Sequence, residues 1–395
     1  MFSKRTDWKL EENAYTRALR QHRESGKKLY DLTASNPTTC GFEYDEATIL
    51  SALSSPAGLR YDPEPKGLPA ARAAVAAYYE QKVPGANLDP ERLILTTGTS
   101  EAYSFLFRLL CEPGDEILIA HPSYPLFDFL GTIQDVRLCP FFLIYDHGWQ
   151  IDFPSLQKAI GPRTRAILLV HPNNPTGNFI SVNEAEHLNE ICAKHSLALV
   201  VDEVFLDYEF AGASASKEKH GSFAASSRAL TFVLSGLSKI AALPQMKVGW
   251  IAASGPDALV RDAVARLELI ADTYLSLNGP VQHALPVLLA QRETIQPQLI
   301  ARVEANLREL DGQLARQKPV ARLEVEGGWY AVLRVPAVQS DEALAVRLIE
   351  KHSVLVQPGH FYEFPDDGYL IVSLLTPVEE FSEGTRRLLD YVGGS

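Results

Sequence analysis

Five short apolar runs, spread along the first two-thirds of the chain, most constrain how it can fold. They are RLILTT (92–97), EILIAHP (116–122), RAILLVHP (165–172), LALVVDEV (197–204) and ALTFVLS (229–235). Each is nearly continuous in apolar residues instead of alternating, as expected for strands buried on both faces. The first precedes SEAYSFLFRLL. The third precedes SVNEAEHLNEICAKH, in which Ser181 and Glu184 have the spacing of a capping box. This β-α-β-α order predicts an α/β fold, a mostly parallel sheet sandwiched by helices. A chain of 395 residues, 46% apolar, can bury a large core and support more than one domain.

After Pro256 the texture changes. DALVRDAVARLELIADTYL and the stretch from Pro280 to about Gln317 read as helices. Then come ARLEVE, GGWYAVLRV, DEALAVRLIEKH, SVLVQPG, YLIVSLL and a last helical stretch, the pattern of a smaller α+β domain. The expected division is an N-terminal segment (1–40) joining the small domain, a large ligand-binding domain (41–278) and a small C-terminal domain (279–395). The stretch ASASKEKHGS (213–222) is expected to be an exposed loop.

Charge and cysteine usage remove several classes. A formal net charge of -12 argues against a nucleic-acid partner, which calls for a basic face. The opening MFSKRTDWKLEENAY has charges of both signs and no apolar core, so no secretory leader is expected. No apolar stretch is long enough to span a bilayer, and a cytoplasmic location is the default. Cys40, Cys111, Cys139 and Cys192 are scattered, without CxxC or a neighbouring His spacing. They read as reduced thiols, with neither a disulfide framework nor a metal site expected.

In open α/β sheets, ligands sit beyond the carboxyl ends of the strands. Gly98, Thr99 and Ser100 follow the first run and open a helix, which suits a phosphate or is simply a helix cap. Tyr124 follows the second, between prolines, and offers an aromatic face or mere packing. Asn174, in HPNNPTG, follows the third, as a side-chain amide or only part of a turn. Asp202 follows the fourth, where a buried carboxylate needs a cation or donors. Lys239 follows the fifth, in SGLSKIAALPQMKVGW, with Lys247 beyond it. A lysine in apolar surroundings is exposed, paired, or held at a depressed pKa for chemistry. Each residue alone has a structural explanation. Together they meet the needs of pyridoxal 5'-phosphate: a Schiff-base lysine, a carboxylate for the ring nitrogen, an amide for the ring oxygen, an aromatic face and a phosphate cradle.

With these residues in place, the sequence resembles a fold-type I, class I/II aminotransferase of the aspartate aminotransferase superfamily, from about Leu32 to the C-terminus. The motifs DLTASNPT, YDPEPKGLPAAR, TTGTSEA, HPSYP, HPNNPTG, VDEVF and GLSK occur in that family's order. The resemblance implies that Gly98, Thr99 and Ser100 hold the phosphate, Tyr124 stacks, Asn174 donates to the ring oxygen and Asp202 pairs with the ring nitrogen. It implies that Lys239 both carries the cofactor and moves the proton between substrate Cα and cofactor. Lys247 stands where the family usually has a phosphate-binding arginine. Tyr61 corresponds to a tyrosine that reaches the phosphate of a neighbouring subunit, which implies a homodimer.

Four positions depart from the family pattern. Gly236 replaces a serine, Lys247 an arginine and Phe205 a tyrosine that donates to the ring oxygen. Ile371, in YLIVSLL, replaces the arginine that grips the substrate carboxylate. Arg334, or backbone N–H groups near Ser35 and Asn36, are the candidates to take over that grip. The expected activity is transfer of an amino group from a small-molecule donor to a 2-oxo acid, with weak use of aspartate and other common amino acids. A lyase or decarboxylase on the same fold is the alternative. A non-enzymatic effector domain is disfavoured by the acidic charge and the absence of an added DNA-binding segment.

Overall fold

All five apolar runs become strands of one eight-stranded sheet. The computed structural model describes the chain except Lys9, residues 211–217, residues 225–227 and Ser395. In chain order the strands are β1 (Leu93–Thr96), β2 (Glu116–His121), β3 (Arg137–Tyr145), β4 (Trp149–Ile151), β5 (Thr164–Val170), β6 (Ala198–Asp202), β7 (Thr231–Gly236) and β8 (Gly249–Ser254). Across the sheet they lie in the order β1-β8-β7-β6-β5-β2-β3-β4. The core from β7 to β3 is parallel. The strand β8 runs antiparallel between β1 and β7, and β4 turns back along β3. Strands β3, β4 and β8 add to the expected set. GWIAAS escapes a pattern reading because it is short and holds one β-branched residue.

The central strands are buried on both faces, and their side chains divide between two layers. In β6, Leu199 and Val201 join one apolar layer while Ala198 and Val200 join the other. Helices cover both layers. The helix Val182–His195 starts on the predicted capping box, with Ser181 and Glu184 each bonding the other's backbone N–H. Each alternate side chain fixes which face a strand shows, so the polar residue that ends each strand is carried to the same edge.

The C-terminal region builds a four-stranded antiparallel sheet, β9 (Ala321–Arg322), β10 (Tyr330–Arg334), β11 (Gln357–Pro358) and β12 (Tyr369–Ser373), in the order β9-β10-β12-β11. The N-terminal segment is laid onto it. Tyr30–Asp31 pairs in parallel with Val354–Leu355, and the Ser373 N–H donates to the Leu32 carbonyl at 2.7 Å. The Ser373 hydroxyl donates to the Ala34 carbonyl. These bonds deliver Ser35 to the edge of the large sheet. The helix Arg292–Leu314 packs on the last helix, Val378–Gly393, whereas Gly279–Ala290 packs on Glu46–Leu53 and Pro69–Lys82.

Residues 213–217 of the expected loop lie outside the described residues. The end of that stretch is not a free loop: Ser222 is buried and donates to the Glu203 carboxylate at 2.7 Å, and the Phe223 N–H donates to the same group. All four cysteines are free thiols, with Cys40 and Cys192 buried. Among the described residues no helix is long and apolar enough to cross a membrane.

Candidate active site

The carboxyl ends of β1, β2, β5, β6 and β7 open onto one cleft of about 340 Å³. Gly98, Thr99, Ser100, Tyr124, Asn174, Asp202, Lys239 and Lys247 all line it. Eight of the nine predicted site residues therefore converge, from segments spread over 150 positions of sequence.

Asn174 shows best that the cleft is built for a polar guest. The turn that carries it closes its other polar groups internally: Asn173 Nδ2 donates to Thr176 Oγ1 at 2.7 Å and to the Pro122 carbonyl at 3.1 Å, and the Gly177 N–H donates to the Asn173 carbonyl. Asn174 alone is left over. It is 8% exposed, and its Oδ1 has no hydrogen-bond partner. A buried polar atom without a partner costs roughly 1–3 kcal/mol. A ligand donor at this place would relieve that cost, and the same amide turned over would present its Nδ2 hydrogens to a ligand acceptor.

Asp202 is held by two donors, the Tyr103 hydroxyl at 2.7 Å and the Val204 N–H at 3.0 Å. Burial still pushes its pKa up to about 6, against those donors and the nearby Lys239 charge. A cation placed against it would return it to the ionised state. Lys239 sits in the one-turn helix Leu237–Ile240 that comes directly after β7. Its backbone is pinned by the Tyr208 hydroxyl on the Lys239 carbonyl (2.6 Å) and by Gln296 Nε2 on the Ile240 carbonyl (2.7 Å). Its Nζ lies 4.5 Å from the Trp329 ring centre and 5.5 Å from that of Phe205. Part of the side chain stays open to the cleft, but the apolar surroundings lower its pKa to about 8, with Asp202 opposing. The neutral amine is thus accessible near neutral pH.

At the other end of the cleft the helix Thr99–Leu110 begins at Gly98 without a side-chain cap. Its first N–H groups keep their donors for a ligand, and the helix dipole favours an anion there. Lys247 adds a cation at the same end. The departure at Gly236 has a steric account. A Cβ there would lie 2.6 Å from the Val248 carbonyl oxygen, so a serine does not fit without moving the backbone. The residues present fit pyridoxal 5'-phosphate: an uncapped helix start with a lysine, a buried amide, a buried carboxylate and an amine occur in one cleft.

Tyr61 is the predicted residue that the cleft lacks. It is 77% exposed and lines a second cleft, of about 300 Å³, with Asn278 and His283. Arg334 does not reach the site either. Tyr330, at the start of β10, lines the cleft, but Arg334 is exposed at the other end, four residues or roughly 13 Å along the strand. Ser35 lines the cleft, whereas the Asn36 side chain is occupied in capping its own turn at Thr38. Pattern reading missed Tyr103, Glu101, Ser238, Trp329 and Tyr330. Tyr103 had a signal in retrospect: it is one turn into the helix whose start was already assigned to the cleft.

A mostly parallel sheet with a lysine, a carboxylate and an anion cradle at its carboxyl edge is the arrangement that a pyridoxal-phosphate enzyme of the type I fold requires. The sequence matches the family described as aminotransferase class I and II over residues 5–380. It is 24% identical over 376 residues to the glutamate–pyruvate aminotransferase AlaA of Haemophilus influenzae, covering 93% of this chain and 92% of that one. It is 27% identical over 370 residues to the arginine–pyruvate transaminase AruH of Pseudomonas aeruginosa, covering 92% and 90%. The fold matches that of an alanine aminotransferase from Pyrococcus furiosus with a TM-score of 0.89 at 22% identity, over the full length of both chains. The chain belongs to the class I and II aminotransferases and uses pyridoxal 5'-phosphate to move an amino group between a donor and a 2-oxo acid.

Proposed function

We propose that Lys239 carries the cofactor and moves the substrate Cα proton, with Asp202, Asn174, Tyr124 and the start of the helix Thr99–Leu110 holding the cofactor around it. When bound, the cofactor supplies an aldehyde that accepts an amino group and a ring that draws electrons from Cα. Asp202 would pair with the ring nitrogen in a dry site and favour its protonated form. The Asn174 amide would donate through Nδ2 to the ring oxygen, and Tyr124 would offer its face to the ring. The helix N–H groups and Lys247 would neutralise the phosphate. Lys239 Nζ takes the proton from Cα and returns it on the far side of the transfer, a role its lowered pKa suits. Phe205 offers no hydroxyl, so the ring oxygen has one donor fewer than the family pattern supplies.

We also infer a homodimer. Tyr61, Leu59 and Leu50 are exposed apolar or aromatic side chains that a second copy would cover. A twofold assembly would let Tyr61 serve the neighbouring phosphate reciprocally. Relatives named for alanine and glutamate–pyruvate exchange support a 2-oxo acid as acceptor. Among the described residues lining the cleft, the only cations are Lys239 and Lys247. Both are engaged by the cofactor in this reading, so efficient aspartate–2-oxoglutarate exchange is not expected.

The observation that carries this reading is the convergence of Lys239, Asp202 and the unpartnered Asn174 on one cleft. Borohydride reduction of the holoenzyme, with peptide mass mapping of the product, tests it. The peptide containing Lys239 should carry the cofactor mass, and Lys239→Ala should lose that label along with turnover by at least about a thousandfold. A label on another lysine would contradict the assignment.

A further inference from the structure

The acceptor in the reading above carries a carboxylate, which needs hydrogen-bond donors wherever it gives up water. The cations that line the cleft among the described residues, Lys239 and Lys247, are given to the cofactor. Arg334 is exposed at the far end of its strand, and Ile371 is fully buried in the small sheet and offers no donor. Two hydroxyls reach the cleft from outside the large sheet instead. Tyr330 and Ser35 both line it, and the cofactor uses neither in this reading. Tyr330 is 8% exposed, Ser35 is exposed, and the Ser35 hydroxyl lies within hydrogen-bonding reach of the Tyr330 hydroxyl.

Strand register builds this pair. Tyr330 is directly opposite Ser373 in the antiparallel sheet. Ser373 is fully buried; its N–H donates to the Leu32 carbonyl at 2.7 Å and its hydroxyl donates to the Ala34 carbonyl. The next residue is Ser35, so one buried side chain of the small sheet brings the N-terminal segment to Tyr330. The Tyr330 ring is held in turn by Phe205, edge to face with ring centres 6.3 Å apart. Burial raises the Tyr330 pKa, so its hydroxyl stays protonated and able to donate.

A hydrogen bond to a charged acceptor is stronger than one between neutral groups. Tyr330 presents such a donor on a fixed ring, and Ser35 can donate to the second carboxylate oxygen. Because Ser35 is exposed, the remaining lone pairs of that carboxylate keep their water. The charge is then only partly desolvated and does not require a paired cation. We propose that Tyr330 and Ser35 are the seat of the carboxylate carried by the 2-oxo acid acceptor and by the amino acid formed from it, and that Ser373 positions them. The proposal rests on the aminotransferase reading of the same cleft and names the groups that orient its substrate.

Two ligands of one shape separate this role from a merely structural one: 2-aminoisobutyrate and tert-butylamine, in which a methyl group replaces the carboxylate. Neither has a Cα proton to lose, so each binds without turnover, and titration of the holoenzyme is read in the cofactor absorption. The acid should bind at least about tenfold more tightly than the amine. Tyr330→Phe should weaken the acid by about tenfold or more and leave the amine within about twofold. Ser35→Ala should weaken the acid by about threefold, because that hydroxyl is solvated in the empty site, and Ser35→Thr should restore it. Ser373→Ala should move the acid-to-amine ratio in the same direction. In Tyr330→Phe the KM for pyruvate should rise while kcat changes less, as expected for loss of a binding contact. An acid no tighter than the amine in the wild type, or equal losses for both ligands in Tyr330→Phe, would overturn the proposal and leave the amino-transfer reading standing. No change of absorption with any amino donor would contradict both.

Discussion

The floor of the cleft and its small-domain wall were built under different constraints. The floor is the carboxyl edge of the parallel sheet, and what it must hold is fixed: an anion, an aromatic ring, a protonated nitrogen and an aldehyde. Each demand falls on a residue that ends a strand or starts the next turn, so the side chains are positioned by backbone that is itself buried and bonded. The wall is an antiparallel sheet with the N-terminal segment laid across it. Of the four departures from the family pattern, Gly236, Lys247 and Phe205 line the cleft, and Ile371 lies buried in the small sheet.

Removing the floor's charge should break the comparison most strongly. Asp202→Asn keeps the shape and loses the pairing with the ring nitrogen. Losing one partner of a buried charged pair costs about 3 kcal/mol or more, so Cα proton removal should slow by roughly a hundredfold or more. Single-turnover kinetics measures it, and an unchanged rate would remove Asp202 from the proposed mechanism.

A smaller effect sharpens the same contrast. Tyr103→Phe removes one of the two donors that favour the Asp202 carboxylate. Its pKa should rise above the present value of about 6, so the acid limb of cofactor association should move to higher pH. Equilibrium binding measured by absorbance across pH 5–8 checks this, with no shift as the contrary result.

Legibility in the sequence divides along the same line. Lys239, Asp202, Asn174, Tyr124 and the Gly98 turn could be read because each is contiguous with the strand that delivers it. The wall was legible only in part. Ser35 can be named from its loop, but its meeting with Tyr330 depends on Ser373, which is opposite Tyr330 in the sheet and bonds the Ala34 carbonyl. Arg334 is a candidate from the sequence because its strand belongs to the same small domain as Ile371, but it lies at the opposite end of that strand from Tyr330, which lines the cleft. Tyr103 was missed because its hydrogen bond spans 99 positions. The fit of glycine at position 236 depends on the Val248 carbonyl, which no local pattern reveals.

The smallest expected effect lies behind the floor. Glu203 is 1% exposed, and burial raises its pKa to about 8, against the Phe223 N–H and the Ser222 hydroxyl. A carboxyl raised in the folded state stabilises the fold at pH below its ordinary range, and that contribution is lost as pH rises through about 8. The apoprotein should therefore lose thermal stability from pH 5 to pH 9, and Glu203→Gln should lessen that loss by roughly 2 °C or more. Parallel slopes for the two proteins would contradict the buried-carboxyl account.

The central claim, that the cleft runs a two-step amino transfer, is tested most directly by giving the holoenzyme an amino donor without any acceptor. The cofactor absorption should fall once, with one carbonyl product formed per site, and should return when a 2-oxo acid is added. Donor consumed through many turnovers without an acceptor, with the absorption unchanged, would contradict it.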